Sequence, residues 1–336
     1  MDAMKTSAKL LRLPGRLLLL EKLFVRRAGP KAYARLAGYA FKKAFLGNRT
    51  PLALMAAVTY RCQCRCVHCS ADNLRAAEMP PEALRSVITQ AADAGVVKLG
   101  LTGGEPLLYT GLEEAVRLAA ARGMSVSLDT NGLLLDRQKA LALKKAGITV
   151  INVSLDSALP RAHDRLRASP GCFEKAAEAV KCCAAAGIPC VVSTYATERR
   201  IHNGSLEAVI KLAAELGADA VRVMFPVHAG RLAGRDRELL KPEGKRIFFE
   251  DLMGRYPFVY SESPLFDFLS GRVECSMRKG LSVYMKPDGD LLGCYASGRT
   301  LGNALREPLA GLLEKFSGSC AALEACNLVE APRRSN

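Results

Sequence analysis

The sequence predicts an α/β fold, a partial (β/α)6 barrel, and three features of the chain indicate it. Between residues 52 and 225, six apolar runs alternate with stretches of helical periodicity. The apolar runs are continuous, as expected for strands of a parallel sheet that is covered on both faces. The helical stretches tend to end at glycine, which is common just after a helix. Six units are fewer than the eight that close a complete TIM barrel.

The order of strands and helices predicts where the loops meet. Right-handed crossovers place the carboxyl ends of all parallel strands on one face, so the loops that follow the strands should converge there. The predicted strands are Leu52–Thr59, Val97–Leu101, Ser125–Asp129, Ile148–Leu155, Pro189–Tyr195 and Ala220–Phe225. The predicted helices between them are Pro81–Ala94, Gly111–Arg122, Asp136–Ala146, Phe173–Ala186 and Ser205–Leu216.

The chain divides into four predicted parts. Near its carboxyl end, Val283–Lys286 and Leu291–Cys294 flank an Asp-Gly pair, which predicts a β-hairpin in a small α+β domain. The four parts are basic amphipathic helices (1–50), the barrel (51–230), a connecting helical segment (231–270) and the small C-terminal domain (271–336).

The positive charge is concentrated in the first fifty residues. The chain has a net charge of +15, and residues 1–50 contribute +10, with twelve Lys or Arg against two acidic residues. Because the rest of the chain is nearly balanced, we expect no basic groove and no nucleic-acid partner.

Residues 1–50 predict two basic helices, interrupted at Pro14-Gly15 and at Gly29-Pro30. Three roles are open: a segment packed against the barrel, an interfacial anchor for anionic lipid headgroups, or a docking arm for an acidic partner. An apolar stripe on one helical face consists of Leu13, Leu17, Leu20 and Phe24.

The chain contains twelve cysteines, and whether they are oxidised or reduced depends on the compartment. No secretory signal is recognisable, because Leu17–Leu20 is too short an apolar core and Glu21 follows it. No run of 18 apolar residues is present either. We therefore expect a cytoplasmic protein whose clustered, reduced cysteines bind metal or an iron–sulfur group, with membrane association through residues 1–50 left open.

Three cysteines form the most informative motif. Cys62, Cys66 and Cys69 have the spacing C-x3-C-x2-C on one loop after the first strand. Three thiolates can hold three irons of a 4Fe–4S cluster and leave the fourth iron open for a ligand. The alternative is a structural zinc site, which needs a fourth ligand and would have to use Cys64. We interpret Cys64 as a neighbour of the cluster.

The sequence Thr102-Gly103-Gly104-Glu105-Pro106 follows the second strand. Together with the cysteine motif, in this order, it resembles the radical SAM (S-adenosylmethionine) superfamily. The resemblance implies that SAM chelates the open iron and is cleaved reductively to a 5′-deoxyadenosyl radical, which removes a hydrogen atom from the substrate.

The resemblance also implies roles for individual residues. Gly103, Gly104 and Glu105 would receive the methionyl amino group, and His68 would lie beside the adenine. A list of further cofactor-binding residues follows from the loops after the third and fourth strands: Asp129, Asn131 and Ser154 at the ribose, and Arg167, rather than Arg165, at the SAM carboxylate.

The C-terminal cysteines carry a second resemblance. Cys275, Gly289 and Cys294 fit the opening of the SPASM and twitch extensions of that superfamily. With Cys320 and Cys326, four thiolates would hold a second, auxiliary 4Fe–4S cluster. A zinc site of four cysteines is the alternative, and an auxiliary cluster with one open iron would bind substrate directly.

Three functions follow as hypotheses. The first is oxidative modification of a peptide or small molecule, with the auxiliary cluster as electron acceptor and flavodoxin or ferredoxin as electron donor. The second is modification of a membrane lipid or isoprenoid, which the basic amphipathic segment favours. The third is a non-catalytic iron–sulfur or zinc protein.

Overall fold

The computed structural model describes residues 2–71, 77–235, 238–264, 266–272, 275–296 and 299–316. Within these ranges, all six predicted barrel strands are present and lie side by side in one sheet, which confirms the α/β partial barrel. Four further strands in the same ranges extend the sheet at its two edges.

The sheet has ten strands in the described part of the chain. Its order is β10-β9-β8-β1-β2-β3-β4-β5-β6-β7, and β1 to β7 are parallel neighbours in chain order. The strands are β1 (Ala53–Thr59), β2 (Lys98–Gly103), β3 (Ser125–Thr130), β4 (Val150–Ser154), β5 (Cys190–Tyr195), β6 (Ala220–Met224), β7 (Val259–Tyr260), β8 (Ser282–Met285), β9 (Asp290–Leu292) and β10 (Thr300–Asn303).

The C-terminal hairpin joins the barrel sheet. Strand β8 pairs in parallel with β1, and β9 and β10 continue the sheet in antiparallel pairs. No pattern in the sequence predicts this pairing, because the partner of a short strand is chosen by tertiary contacts.

The helices cover the outer face of the sheet and the amino-terminal ends of the strands. Between α10 and α11 the chain forms a wider π-helical turn, Ile247–Leu252. The helices are α1 (Asp2–Phe24), α2 (Gly29–Phe45), α3 (Pro81–Asp93), α4 (Leu112–Ala121), α5 (Arg137–Ala146), α6 (Pro160–Arg167), α7 (Cys172–Ala186), α8 (Glu198–His202), α9 (Ser205–Glu215), α10 (Pro242–Arg246), α11 (Met253–Arg255), α12 (Phe266–Ser270) and α13 (Leu309–Glu314).

One ion pair shows that the sheet is strongly curled. Asp129 on β3 lies 2.6 Å from the guanidinium of Arg222 on β6. In a flat sheet these strands would be roughly 14 Å apart, which is three strand spacings. The same arginine donates to Ser193 on β5, so its side chain crosses the concave side of the sheet. The carboxyl ends of β3 to β6 therefore face a common interior.

Helix α1 corrects one prediction. The predicted interruption at Pro14-Gly15 is wrong, because α1 continues through Pro14, while α2 begins at Gly29 as predicted. A proline inside a helix removes one backbone hydrogen bond. Here the neighbouring turns are held from outside, since Arg12 and Arg16 donate to backbone carbonyls of Gly254 and Val259.

The second half of α1 closes the amino-terminal end of the barrel. Leu19, Leu23 and Phe24 pack on interior residues of four strands, and Leu23 is fully buried. The strand residues in this cluster are Val150, Val191, Ala220 and Tyr260.

Arginines of residues 1–50 cap backbone carbonyls at this end. Arg16, which is 1% exposed, donates to the carbonyls of Val259 at 2.7 Å and Met253 at 2.9 Å. Arg27 and Arg35 donate to residues that follow helices α7 and α4. Cations are favourable at helix carboxyl ends, so part of the excess charge has a role in packing. No helix in the described residues is long and apolar enough to span a bilayer.

Replacing Arg16 tests this packing. We expect Arg16→Ala to lower the free energy of unfolding by about 3 kcal/mol, because buried carbonyls lose a charged donor. Anaerobic urea unfolding followed by circular dichroism measures it. The matched control is Arg26→Ala, which removes an exposed arginine from the same segment. Equal stability of the two variants would contradict the role assigned to Arg16.

Candidate active site

A cavity of about 410 Å³ opens where the carboxyl ends of the strands converge. All three cysteines of the C-x3-C-x2-C motif line it, as do most residues predicted to bind a cofactor. Glu105 is the exception among them. The predicted residues that line the cavity are Cys62, Cys66, His68, Cys69, Gly103, Gly104, Asp129, Asn131, Ser154 and Arg167.

The cysteine loop is held by backbone hydrogen bonds to the end of α6. The amides of Arg65 and Val67 donate to the carbonyls of Arg167 and Leu166, at 2.9 and 3.0 Å. A second segment approaches from the other side at Gly230, where a Cβ would come within 2.2 Å of the Cys69 carbonyl oxygen. The loop therefore has a fixed shape before any ligand is considered.

Two glycines allow the turn after β2 to contact the cysteine loop. A Cβ on Gly103 would lie 2.2 Å from the Thr59 carbonyl oxygen, and one on Gly104 would lie 2.3 Å from that of Arg61. The close approach permits two backbone bonds, from Gly104 N–H to Thr59 and from Glu105 N–H to Arg61, at 2.7 and 2.8 Å. Glycine is needed here because only hydrogen fits between the two backbones.

Glu105 lies behind the cavity wall and is fully buried. Its carboxylate accepts hydrogen bonds from the backbone amides of Leu107 and Asn131, and from the hydroxyl of Thr130. Burial raises the pKa of Glu105 to about 7, although these three bonds favour the ionised form. The structure therefore gives this side chain a role in joining the β2 turn to the end of β3.

Asn131 extends this connection to the motif. Its side-chain amide donates to the Gln63 side chain at 3.1 Å and lies 3.8 Å from Cys62 Sγ. Its Oδ1 accepts the amide of Leu133, which fixes the orientation of the amide group. Asn131 is thus positioned against the cysteine loop.

The thiols of the motif have different environments. A hydrogen bond from Cys64 lowers the pKa of Cys62 and, with the charge of Arg167, lowers that of Cys66 to about 6. Burial raises the pKa of the Cys69 thiol. Cys64 itself packs against Cys172, which is fully buried and does not line the cavity. Thiolates are the metal-binding form of cysteine, so the lowered pKa values of Cys62 and Cys66 favour metal ligation.

The donor set fits an iron–sulfur cubane better than a single metal ion. In the described ranges, no three or more His, Cys, Asp or Glu side chains converge on one ion position. The three cysteines instead line the same cavity, and its volume of about 410 Å³ has room for a larger group. His68 Nδ1 and Arg167 Nε are buried there without hydrogen-bond partners among the described residues, as polar walls of a cofactor site would be.

A buried carboxylate that the sequence analysis did not select organises one wall. Asp156, 1% exposed, lies 2.6 Å from Arg167 and 3.5 Å from His68 Nε2. Burial opposes its ionisation, but the charge of Arg167 outweighs this and lowers the pKa of Asp156 to about 2. Burial lowers the pKa of His68 to about 4, so its imidazole is neutral. The position of Asp156 directly after strand β4 was the sequence signal that could have identified it as a site residue.

Other cavity residues also escaped prediction. The His68 ring packs against Tyr195 at the end of β5, with centroids 4.0 Å apart and ring planes tilted by 37°. Arg222 and Ser193 reach the cavity from β6 and β5, and Arg231 bonds the carbonyl of Cys66 at 3.1 Å. Their strand-end positions are shared with many other residues, so sequence position alone does not distinguish them.

The C-terminal cysteines are described only in part. Cys294, which is buried, follows β9, and Cys275 precedes Ser276, whose hydroxyl lies 2.8 Å from that of Ser282 at the start of β8. Because β8 and β9 are antiparallel, the two cysteines lie toward the same end of the hairpin. Cys320 and Cys326 lie outside the described residues.

Comparisons with known proteins agree on one superfamily. The family model of the radical SAM superfamily matches residues 57–213. The AdoMet-dependent heme synthase of Methanosarcina barkeri is 33% identical over 187 residues, 55% of this chain and 53% of that protein. PqqA peptide cyclase of Ruegeria pomeroyi is 31% identical over 260 residues, 74% of this chain and 68% of that protein.

The fold has been seen in solved structures. Streptococcus suis SuiB, bound to precursor peptide SuiA, has a TM-score of 0.65 at 17% identity, covering 84% of this chain and 69% of SuiB. At this identity the likeness concerns the fold. The chain spans about half the length of several curated relatives it matches, including the heme synthase.

Proposed function

The chain belongs to the radical SAM superfamily, and from this premise we propose that it cleaves SAM at Cys62, Cys66 and Cys69 and oxidatively modifies a peptide or small molecule. The observation that carries the proposal is the cavity shared by the three thiols, the glycine turn and the ends of β3 to β6. A 4Fe–4S cluster bound there supplies an open iron and the electron that splits the cofactor.

The residues of the chain would then bind the cluster, orient the cofactor and enclose the cavity. Cys62, Cys66 and Cys69 would ligate three irons of a bound cluster, and the backbone at Gly103 and Gly104, which lines the cavity, would receive the cofactor's amino group. Neutral His68, packed against Tyr195, would offer its ring to the adenine. Asp129, Asn131 and Ser154 present polar atoms for the ribose. Glu105 supports this wall from behind, and Arg167 serves the carboxylate side.

A peptide is the better-supported substrate class. The name of the relative PqqA peptide cyclase gives a peptide as its substrate, and the structure of SuiB has been solved with its precursor peptide. The cavity of this chain is polar on the Arg222 and Arg231 side, which suits the backbone of a peptide. A small-molecule substrate remains the alternative within the same proposal.

Cysteine variants test the proposed reaction. We expect Cys62→Ala, Cys66→Ala and Cys69→Ala each to abolish 5′-deoxyadenosine formation, because each removes an iron ligand, while Cys64→Ala retains it. Anaerobically reconstituted protein with SAM and dithionite provides the assay, read by chromatography. Equal loss in Cys64→Ala would contradict the ligand assignment. A wild-type chain that forms no product would favour the non-catalytic iron–sulfur or zinc protein.

We also propose an auxiliary 4Fe–4S cluster held by Cys275, Cys294, Cys320 and Cys326, which accepts the electron left after hydrogen abstraction. Its support is the spacing of Cys275, Gly289 and Cys294 and the placement of two of the cysteines toward one end of the β8–β9 hairpin. Zinc bound to these residues in anaerobically purified protein would contradict it.

The reaction needs an electron donor, for which flavodoxin or ferredoxin is proposed. Arg161 and Arg165, one helical turn apart on α6, are exposed and form no ion pair with any described residue. Helix α6 is bonded directly to the cysteine loop, where Arg65 is also exposed. An acidic donor that docks on these three arginines would lie close to the cysteine loop.

Charge reversal tests this docking surface. We expect Arg161→Glu/Arg165→Glu to slow flavodoxin-driven SAM cleavage about tenfold at low salt, because steering depends on unpaired surface charge. Dithionite-driven cleavage should not change. The matched control is Lys42→Glu/Lys43→Glu on α2. Equal rates with flavodoxin in both variants would rule out docking at α6.

A lipid or isoprenoid substrate is the second candidate, favoured by one surface. Phe41 and Phe45 of α2 are 57% and 73% exposed, with ring centroids 5.1 Å apart, and Leu46 beside them is also exposed. Lys42 and Lys43 flank them, and Gly29–Phe45 contains no acidic residue. This combination suits peripheral contact with anionic lipid headgroups.

Vesicle flotation tests that contact. We expect the full chain to float with vesicles containing anionic phospholipid, and Phe41→Ser/Phe45→Ser to reduce the bound fraction about tenfold. Arg161→Glu/Arg165→Glu is the control for a general effect of charge. A wild-type chain that stays unbound would remove the membrane proposal and leave the peptide proposal intact.

A further inference from the structure

Two of the three guanidinium nitrogens of Arg167 are already engaged in the structure. Nη2 lies 2.6 Å from an Asp156 carboxylate oxygen, and Nη1 donates toward Cys66 Sγ at 3.5 Å. Arg167 is 7% exposed and Asp156 is 1% exposed, so water does not screen either contact. The side chain is therefore fixed against a proposed cluster ligand, and a cofactor carboxylate is not needed to hold it there.

The position of Arg167 is also determined by the backbone. It is the last residue of α6. Its carbonyl accepts a hydrogen bond of 2.9 Å from the amide of Arg65, the residue that precedes Cys66. The helix end and the cysteine loop therefore move as one unit. Asp156, fixed directly after β4, completes the anchor from a third element.

A cation with an N–H···S bond to a ligand sulfur has a defined electrostatic effect. One-electron reduction adds negative charge to an iron–sulfur cluster, and a nearby buried cation stabilises the reduced form. Hydrogen bonds to the sulfurs act in the same direction. Both effects raise the reduction potential, and a dry environment strengthens them.

We propose that Arg167, anchored by Asp156 and bonded to Cys66 Sγ, sets the reduction potential of the SAM-binding cluster. This inference rests on the proposed function, since it presupposes a cluster on Cys62, Cys66 and Cys69. It adds to that function a tuning residue that makes the cluster easier to reduce before the cofactor binds.

A redox titration without SAM tests the proposal. The midpoint potential is measured by EPR for the cluster whose signal responds to SAM in a parallel sample. We expect Arg167→Gln to lower the equilibrium constant for one-electron reduction of the cluster about tenfold. This corresponds to a negative shift of about 59 mV in its midpoint potential. Arg167→Lys should shift the potential less but still measurably, because it keeps the charge and loses the N–H···S bond to Cys66. The control is Arg165→Gln, which removes an exposed arginine from the same helix and should leave the potential unchanged.

Each outcome decides the inference. Wild-type potentials in Arg167→Gln and Arg167→Lys, with weakened SAM binding, would overturn it and leave Arg167 as a carboxylate-binding residue only. If Arg167→Gln does not retain its iron, a wild-type potential in Arg167→Lys is by itself enough to overturn the inference. A wild-type chain without any SAM-responsive cluster would refute the proposed function instead, so the two failures are distinguishable.

Discussion

Buried Glu105 joins three strand ends through its backbone amide and its carboxylate, and the rest of the candidate site depends on that connection. Its backbone amide bonds the loop after β1, while its side chain accepts from Thr130 and Asn131 at the end of β3. Asn131 in turn contacts the cysteine loop through Gln63. Separate loops thereby become one rigid wall, which is what a cluster with three protein ligands requires of its surroundings.

Much of this arrangement was predictable because its signals are local. Continuous apolar runs identify β1 to β6, and the spacing of Cys62, Cys66 and Cys69 identifies the loop. The convergence of strand ends follows from the handedness of β/α connections. The paired motifs, together with strand-end positions, were therefore enough to place most cofactor-binding candidates around one cavity.

What escaped prediction depends on tertiary contacts. Three features involve residues far apart in the chain: the pairing of β8 with β1, the contact of Tyr195 with His68, and the anchor formed by Asp156. The cofactor contact of Glu105 stays a prediction, whereas the hydrogen bonds that its carboxylate accepts from backbone amides and a hydroxyl were not predicted. The charge of residues 1–50 has two uses: Arg16, Arg27 and Arg35 cap carbonyls at the barrel end, whereas Lys42 and Lys43 remain at the surface. Composition alone cannot separate them.

Mössbauer spectroscopy of anaerobic protein enriched in ⁵⁷Fe tests the central claim most directly. If Cys62, Cys66 and Cys69 hold a cluster with one open iron, SAM changes the spectrum of one iron in a four-iron cluster, and this cluster is lost when Cys66 is replaced. Zinc at the three cysteines, or a protein in which no iron responds to SAM, would contradict the claim.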